Sequence, residues 1–266
     1  MKRLIINSDD YGRTPEISRG IREAHLRGVV TSTTCMMNIP TTAEDIAVAL
    51  KETPALGLGV HLVLTMGRPL SSPESVPSIT DQNGHFLKYA ALVEQLPHLN
   101  LDEVKQEWHA QIETFIKAAG HKPTHLDSHH HSSYFSPELF HEMLSLAKEY
   151  DCAIRFPFTG NIAKELEETN ERVPDLIKEF DPRRPDRFVV DFYDERATSE
   201  ELLDIIHHLP DGTTEIMCHP GYTDEAFAQE SVYNNQRDRE LEILTDPSIK
   251  EAIQANGIQL ITFASL

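Results

Sequence analysis

Short runs of β-branched and apolar residues alternate along the chain with segments whose apolar residues recur every three or four positions. Strand-like runs fall at residues 4–7, 29–36, 58–64, 124–128, 153–156, 188–191, 215–218 and 259–263. Between them, Ile17, Ile21 and Ala24 trace one helical face. Val104, Trp108, Ile112, Phe115 and Ile116 trace a second, and Leu139, Phe140, Met143, Leu144 and Ala147 a third. Thr14-Pro15-Glu16 and Ser136-Pro137-Glu138 each supply an N-cap, a proline for the first helical position and an acid for the first turn, while Gly28 stands where a helix would end. Eight strands separated by helices predict an α/β fold: an irregular, TIM-barrel-like (β/α) barrel in preference to an open doubly wound sheet.

Two stretches break the alternation. Residues 66–100 carry Pro69, Pro73, Pro77 and Asn83-Gly84 and read as an insertion able to cover the barrel mouth. Residues 163–187 are strongly charged and contain Asp181-Pro182-Arg183-Arg184-Pro185, a turn-rich loop after one or two short helices. With no repeat or linker, residues 1–266 are expected to form one domain. The 39% hydrophobic content suffices for a substantial core, and the net charge of −19 argues against nucleic acid or a membrane surface as a partner. The apolar start, Leu4-Ile5-Ile6, runs into Asp9-Asp10 too soon for a signal peptide, and no later run is long enough to span a bilayer. Cys35, Cys152 and Cys218 are far apart, which indicates neither a disulfide framework nor a thiolate zinc site; a reduced, cytoplasmic protein is expected.

In a (β/α) barrel, chemistry gathers at the C-terminal ends of the strands, and here those ends are polar. They present Asp9-Asp10, His61, Asp127 with His129, Arg155, Asp191 and His219. Adjacent carboxylates at a strand end diverge, so one can hold a metal while the other handles a proton, although a solvated turn would use the same pair. In Thr124–His131, strand alternation would place His125, Asp127, His129 and His131 on one face and Leu126, Ser128 and His130 on the other. Asp127 is then a candidate acceptor that fixes a histidine tautomer. One carboxylate and two imidazoles leave positions open on a divalent ion for water and a carbonyl oxygen, which is hydrolytic chemistry. His219, set in a tight turn by Pro220-Gly221, can protonate a leaving group.

The segments Asn7-Ser8-Asp9-Asp10-Tyr11-Gly12, Gly28-Val29-Val30-Thr31-Ser32-Thr33, Gly59-Val60-His61-Leu62, Pro123 through His131 and Cys218-His219-Pro220-Gly221-Tyr222 resemble the motifs of the YdjC-like family, which includes chitooligosaccharide deacetylases. The resemblance implies a metal-dependent carbohydrate N-deacetylase on an irregular (β/α) barrel, often a homodimer, using magnesium or zinc. By motif position it makes Asp10, His61 and His129 the ligands, Asp9 the general base and His219 the acid that protonates the departing amine. Arg155, at its strand end, is a candidate clamp for a substrate anion such as a sugar phosphate or else a member of an ordinary salt bridge with one of the many acids, and Tyr134 and Phe135 either stack on a sugar ring or belong to the core. Many members follow the histidine triplet with Val-His, whereas this chain has Ser132-Ser133-Tyr134, so any role of that further histidine is lost here.

The activity expected is removal of acetyl groups from N-acetylated sugars, short chitooligosaccharides or their phosphates, during oligosaccharide breakdown. One rival is a glycosidase or sugar-phosphate hydrolase pairing Asp9 with Asp127 or Asp191, which would need two opposed carboxylates and no metal. The other is a non-catalytic carbohydrate-binding protein. On donor chemistry, two imidazoles and a carboxylate suit zinc, iron or manganese more naturally than magnesium.

Overall fold

The computed structural model describes residues 1–159, 167–223 and 225–266. Eight parallel strands, β1 (Lys2–Tyr11), β2 (Ser32–Cys35), β3 (Gly57–Leu62), β4 (His125–Ser128), β5 (Ala153–Ile154), β6 (Arg187–Val189), β7 (Gly212–Cys218) and β8 (Gln259–Leu260), form one sheet. The helices are α1 (Pro15–Leu26), α2 (Thr42–Glu52), α3 (Tyr89–Gln95), α4 (Leu101–Ala119), α5 (Pro137–Tyr150), α6 (Glu167–Phe180), α7 (Ser199–His208), α8 (Glu225–Glu230), α9 (Asn235–Thr245) and α10 (Pro247–Ala255). All eight predicted strands are present, most of them with shifted ends.

The strand order is β5-β4-β3-β2-β1-β7-β6, with β8 also paired to β1. Among the described residues no ladder joins β5 to β6, so the sheet curls without closing: the expected irregular, TIM-barrel-like arrangement is met in its parallel α/β sheet and departs from it in the open side. The reason is local. Strands of two and three residues leave little to pair, and Pro182 and Pro185 in the intervening loop have no backbone N–H to donate. Single bonds bridge the gap: the Ile154 N–H donates to Arg183 O at 2.9 Å, and the Phe188 N–H to Thr159 Oγ1 at 3.0 Å. The predicted charged loop is α6 followed by residues 181–186; its first part, 163–166, lies outside the described residues.

The helices bury the faces that their spacing predicts. Ile17, Ile21, Ala24, Val104, Trp108, Ile112, Phe115, Leu139, Phe140 and Met143 are all fully inaccessible. Thr14 and Ser136 accept hydrogen bonds from the amides of Ile17 and Leu139, as N-caps do. Gly28 has a different role from the helix stop that its position suggests. A Cβ there would lie 2.1 Å from the carbonyl oxygen of Leu244, so glycine lets α9 pack directly on the end of α1. Gly20 allows a second close approach, because a Cβ there would lie 2.7 Å from Gly221 Cα. It thereby seats the turn that follows His219.

Residues 66–100 fold back onto α4. Glu107 accepts the amides of Leu70 and Ser71 at 3.0 and 2.8 Å, and Glu103 accepts that of Ser78 at 2.7 Å. Val76, Ile79, Phe86 and Leu92 enter the main core. Among the described residues no helix is long and apolar enough to cross a membrane.

Candidate active site

β1 carries the centre of the site. Its pairing with β2 shifts register between Ser8 and Tyr11, and Asp10 takes a left-handed conformation at φ 69°. A bulge at this point turns two adjacent carboxylates in different directions. Asp10 faces β3 and the loop after β4, whereas Asp9 faces Arg155.

Asp10 Oδ1 lies 3.1 Å from His129 Nδ1 and 3.5 Å from His61 Nε2, and the two imidazole nitrogens are 3.3 Å apart. Three donor atoms at these separations can share one divalent ion, since bonds of about 2.0–2.2 Å to nitrogen and oxygen put neighbouring donors at such distances. Asp10 Oδ1 is buried with no hydrogen-bond partner among the described residues, which is how a carboxylate oxygen reserved for a cation presents itself. The other nitrogen of His61, Nδ1, meets Asp127 Oδ1 at 2.7 Å. That contact directs the Nε2 lone pair at the cluster. Asp127 is itself held by Thr34 Oγ1 at 3.1 Å and by Arg155 at 3.0 Å.

Strand alternation does not extend through the histidine triplet. It stops at Ser128, and His130 and His131 both adopt left-handed backbone angles. His129 alone of the three turns toward Asp10. His125 is inside the sheet, stacked on Phe263 at 3.7 Å and bonded to Asn7 Oδ1 at 2.9 Å. His130 tilts over His129 at 4.0 Å with its Nδ1 against Thr65 Oγ1, and His131 lies beside Phe188 and Tyr134.

Asp9 is gripped by Arg155, whose Nη1 and Nη2 reach its two oxygens at 2.7 and 2.6 Å. Burial alone would raise the Asp9 carboxyl, but the charge and hydrogen bonds of Arg155 outweigh it and hold Asp9 below the usual carboxylate range. Arg155 also donates Nε to Glu215 at 2.8 Å and is completely buried. A guanidinium enclosed by Asp9, Asp127 and Glu215 is not free for a substrate anion, so of its two readings Arg155 takes the salt bridge and holds Asp9 in place. Tyr134 likewise takes the core in preference to a sugar-facing position: it is fully buried with its O–H on the Arg155 carbonyl at 3.1 Å. Phe135 is also largely covered, at 6% exposure. Asp191, on the surface, pairs with Arg196 at 2.5 Å.

His219, at the end of β7, has Nε2 3.9 Å from Asp9 Oδ2. Burial pushes its imidazole down to about 4, with Asp9 opposing, so the resting ring is neutral at pH 7. Its backbone is held by two residues that sequence reasoning missed. Glu240 accepts the His219 amide at 2.5 Å. Arg237 donates to the His219 carbonyl at 3.5 Å and also to Asp10 Oδ2. Both stand on α9, three residues apart on one face, so one helix braces His219 and Asp10 together. In sequence, Gln236-Arg237-Asp238-Arg239-Glu240 looks like a solvated salt-bridged face. Glu215 left a stronger signal: a lone acid within β7, Gly212–Cys218.

Burial raises Glu215 and Glu240, each to about 7, against the pull of Arg155 on Glu215 and of the His219 amide on Glu240. A buried acid with a raised pKa binds its proton more tightly folded than unfolded. Its stabilising effect is complete below the unfolded value of about 4.5 and is lost as pH rises through about 7. Buried histidines, His219 among them, are pushed the other way and gain stability as pH rises, so the Glu215 contribution is read as a difference: Glu215→Gln is expected to melt close to the parent at pH 5 and several degrees above it at pH 8, at about 2–4 °C per kcal/mol for a chain of this size. Calorimetry in a chelating buffer checks this; a variant that gains nothing on the parent between pH 5 and pH 8 would contradict it.

A sequence profile of the family described as YdjC-like protein matches residues 3–255. A protein of Enterococcus faecalis (strain ATCC 700802 / V583) named carbohydrate deacetylase is 39% identical, over 100% of this chain and 98% of its own length. A Salmonella paratyphi B protein named chitooligosaccharide deacetylase is 36% identical, over 99% and 98% of the two chains. Among solved structures, one from Enterococcus faecalis V583, described as a proposed cellobiose-phosphate cleavage protein, superposes with a TM-score of 0.88 at 38% identity, covering 99% of this chain and 98% of that one.

Proposed function

This chain belongs to the YdjC-like family, and we propose that it is a metal-dependent carbohydrate deacetylase hydrolysing the N-acetyl amides of chitooligosaccharides or their phosphates. The observation that carries the reading is the convergence of Asp10 Oδ1, His61 Nε2 and His129 Nδ1 within 3.5 Å of one another, next to an Asp9–His219 pair 3.9 Å apart. The relatives named as carbohydrate and chitooligosaccharide deacetylases support the substrate class.

Asp10, His61 and His129 would hold the ion. When bound, it supplies a Lewis acid that polarises the amide carbonyl and makes water more acidic. Asp9, kept anionic and aimed by Arg155, accepts a proton from the attacking water. His219 delivers a proton to the departing amine nitrogen. Water gives up one proton and the amine gains one, so neutral His219 can receive the proton from the Asp9 side, 3.9 Å away, and pass it on. Neither residue needs to enter the cycle protonated. The two-imidazole, one-carboxylate donor set favours zinc, manganese or iron over magnesium.

The glycosidase alternative needs two carboxylates free to act from opposite sides of a glycosidic bond. Asp127 is saturated by His61, Thr34 and Arg155, and Asp191 is paired on the surface. Neither is placed to serve.

Acetate release from N,N′-diacetylchitobiose and its 6-phosphate provides the test. Activity is expected to vanish in EDTA and to return with zinc or manganese ahead of magnesium. Turnover that persists in the chelator, or release of free sugar ends or inorganic phosphate in place of acetate, would overturn the assignment.

A further inference from the structure

An aromatic platform stands beside His219. Tyr193, four residues beyond β6, is 42% exposed. Its ring is stacked on Tyr233, with centroids 4.7 Å apart and planes only 6° from parallel. Both rings stand edge-on to His219, each with its centroid 5.5 Å away. Tyr233 is fixed from behind, because its O–H donates to Glu240 and its oxygen accepts the Asp194 amide at 3.0 Å. Gln236 and Arg239 donate to the side chain and carbonyl of Asp194, so α9 secures the loop that carries Tyr193.

One face of Tyr193 is covered by Tyr233, so its exposure belongs to the opposite face and the rim. A flat apolar surface, rigidly backed, at the edge of the proton donor is unusual in an otherwise charged surface. A pyranose ring offers the complementary shape, with a face of C–H groups that packs on an aromatic plane while its hydroxyls stay in water. The placement also fits: Tyr193 lies beside His219, with ring centroids 5.5 Å apart, and the amide nitrogen is bonded directly to a ring carbon, so a pyranose stacked on the open face of Tyr193 can turn that nitrogen back toward the imidazole. Nearby, Arg196 is engaged by Asp191 and Glu201, and Asp191 and Asp194 flank the tyrosine in sequence. Such surroundings suit an uncharged ring.

We propose that the open face of Tyr193, backed by Tyr233, is the subsite for the neutral pyranose ring that bears the departing amine. This rests on the deacetylase reading, and the experiment separates the two. Steady-state acetate release from N,N′-diacetylchitobiose, with saturating divalent ion, is compared for the parent, Tyr193→Phe, Tyr193→Trp and Tyr193→Leu. The Phe and Trp variants keep a flat face and should stay within about threefold of the parent in KM, whereas Leu should raise KM about tenfold or more with kcat changing less than threefold. A second readout is the binding of the uncleaved disaccharide to Asp9→Asn, with and without Tyr193→Leu, which should show the same loss without turnover. A fall in kcat at constant KM in the Leu variant would mean that Tyr193 only orients His219 and would overturn the subsite. So would a tenfold rise in KM for Phe or Trp, a measurement that stands even if the Leu variant fails to fold. A parent that releases no acetate from this disaccharide, with or without ions, would overturn the underlying deacetylase reading for it, and the subsite with it.

Discussion

Replacing Asp9 with asparagine is expected to reduce acetate release by a factor on the order of 10³, within the span of about 10²–10⁴ that positioned proton transfer contributes. The substitution is nearly isosteric, so the effect separates chemistry from folding. Arg155 keeps Asp127 and Glu215 as partners, so the fold should tolerate the change. Asp10, His61 and His129 are untouched, so bound divalent ion, measured by elemental analysis, should stay at the parent level. The variant is then a loaded, folded protein without its base. Activity within tenfold of the parent would show that the water loses its proton elsewhere, with His219 the first candidate because its resting ring is neutral.

The second large effect is on stability. Arg155→Met should cost about 3–5 kcal/mol, the range for removing one partner from a buried ion pair, against a total stability of about 5–15 kcal/mol for a folded domain. Asp9, Asp127 and Glu215 would then share a closed interior with no cation between them. The midpoint of urea unfolding should drop accordingly at pH 7.5. The loss should be smaller at pH 5, where Glu215, already raised to about 7, carries its proton. Arg155→Lys should fall between, because it restores a charge without the fork that grips both oxygens of Asp9. An unchanged urea midpoint for the methionine variant would mean that these acids do not depend on Arg155.

The strands and the faces of α1, α4 and α5 were legible because burial imposes periods of two and three to four on the sequence. Asp9, Asp10, His61 and His219 were legible because strand ends are where such a sheet presents polar groups. What escaped depends on distance along the chain. His129 could not be separated from His125 and His131 by alternation, since the chain leaves strand geometry after Ser128 and two successive left-handed residues turn the rings apart. Arg155 looked like a ligand for substrate because its three carboxylates come from β1, β4 and β7 and no local pattern reveals their convergence. Arg237 and Glu240 escaped because a helix face rich in both charges reads as solvated until something packs on it. The open seam was equally invisible: strand count suggests closure, but closure requires edge strands long enough to pair.

That seam sets an order of mechanical security within the site. β1, flanked by β2, β7 and β8, carries Asp9 and Asp10 on the best-protected backbone in the sheet. Arg155 follows the two-residue strand β5, at the unpaired margin. The side chain that grips Asp9 therefore hangs from a two-residue margin strand, while Asp9 itself is anchored at the centre. Fraying at the margin would release the arginine from its three carboxylates and leave Asp10, His61 and His129 standing, so under the proposed roles proton handling and ion binding would belong to different tiers of local stability.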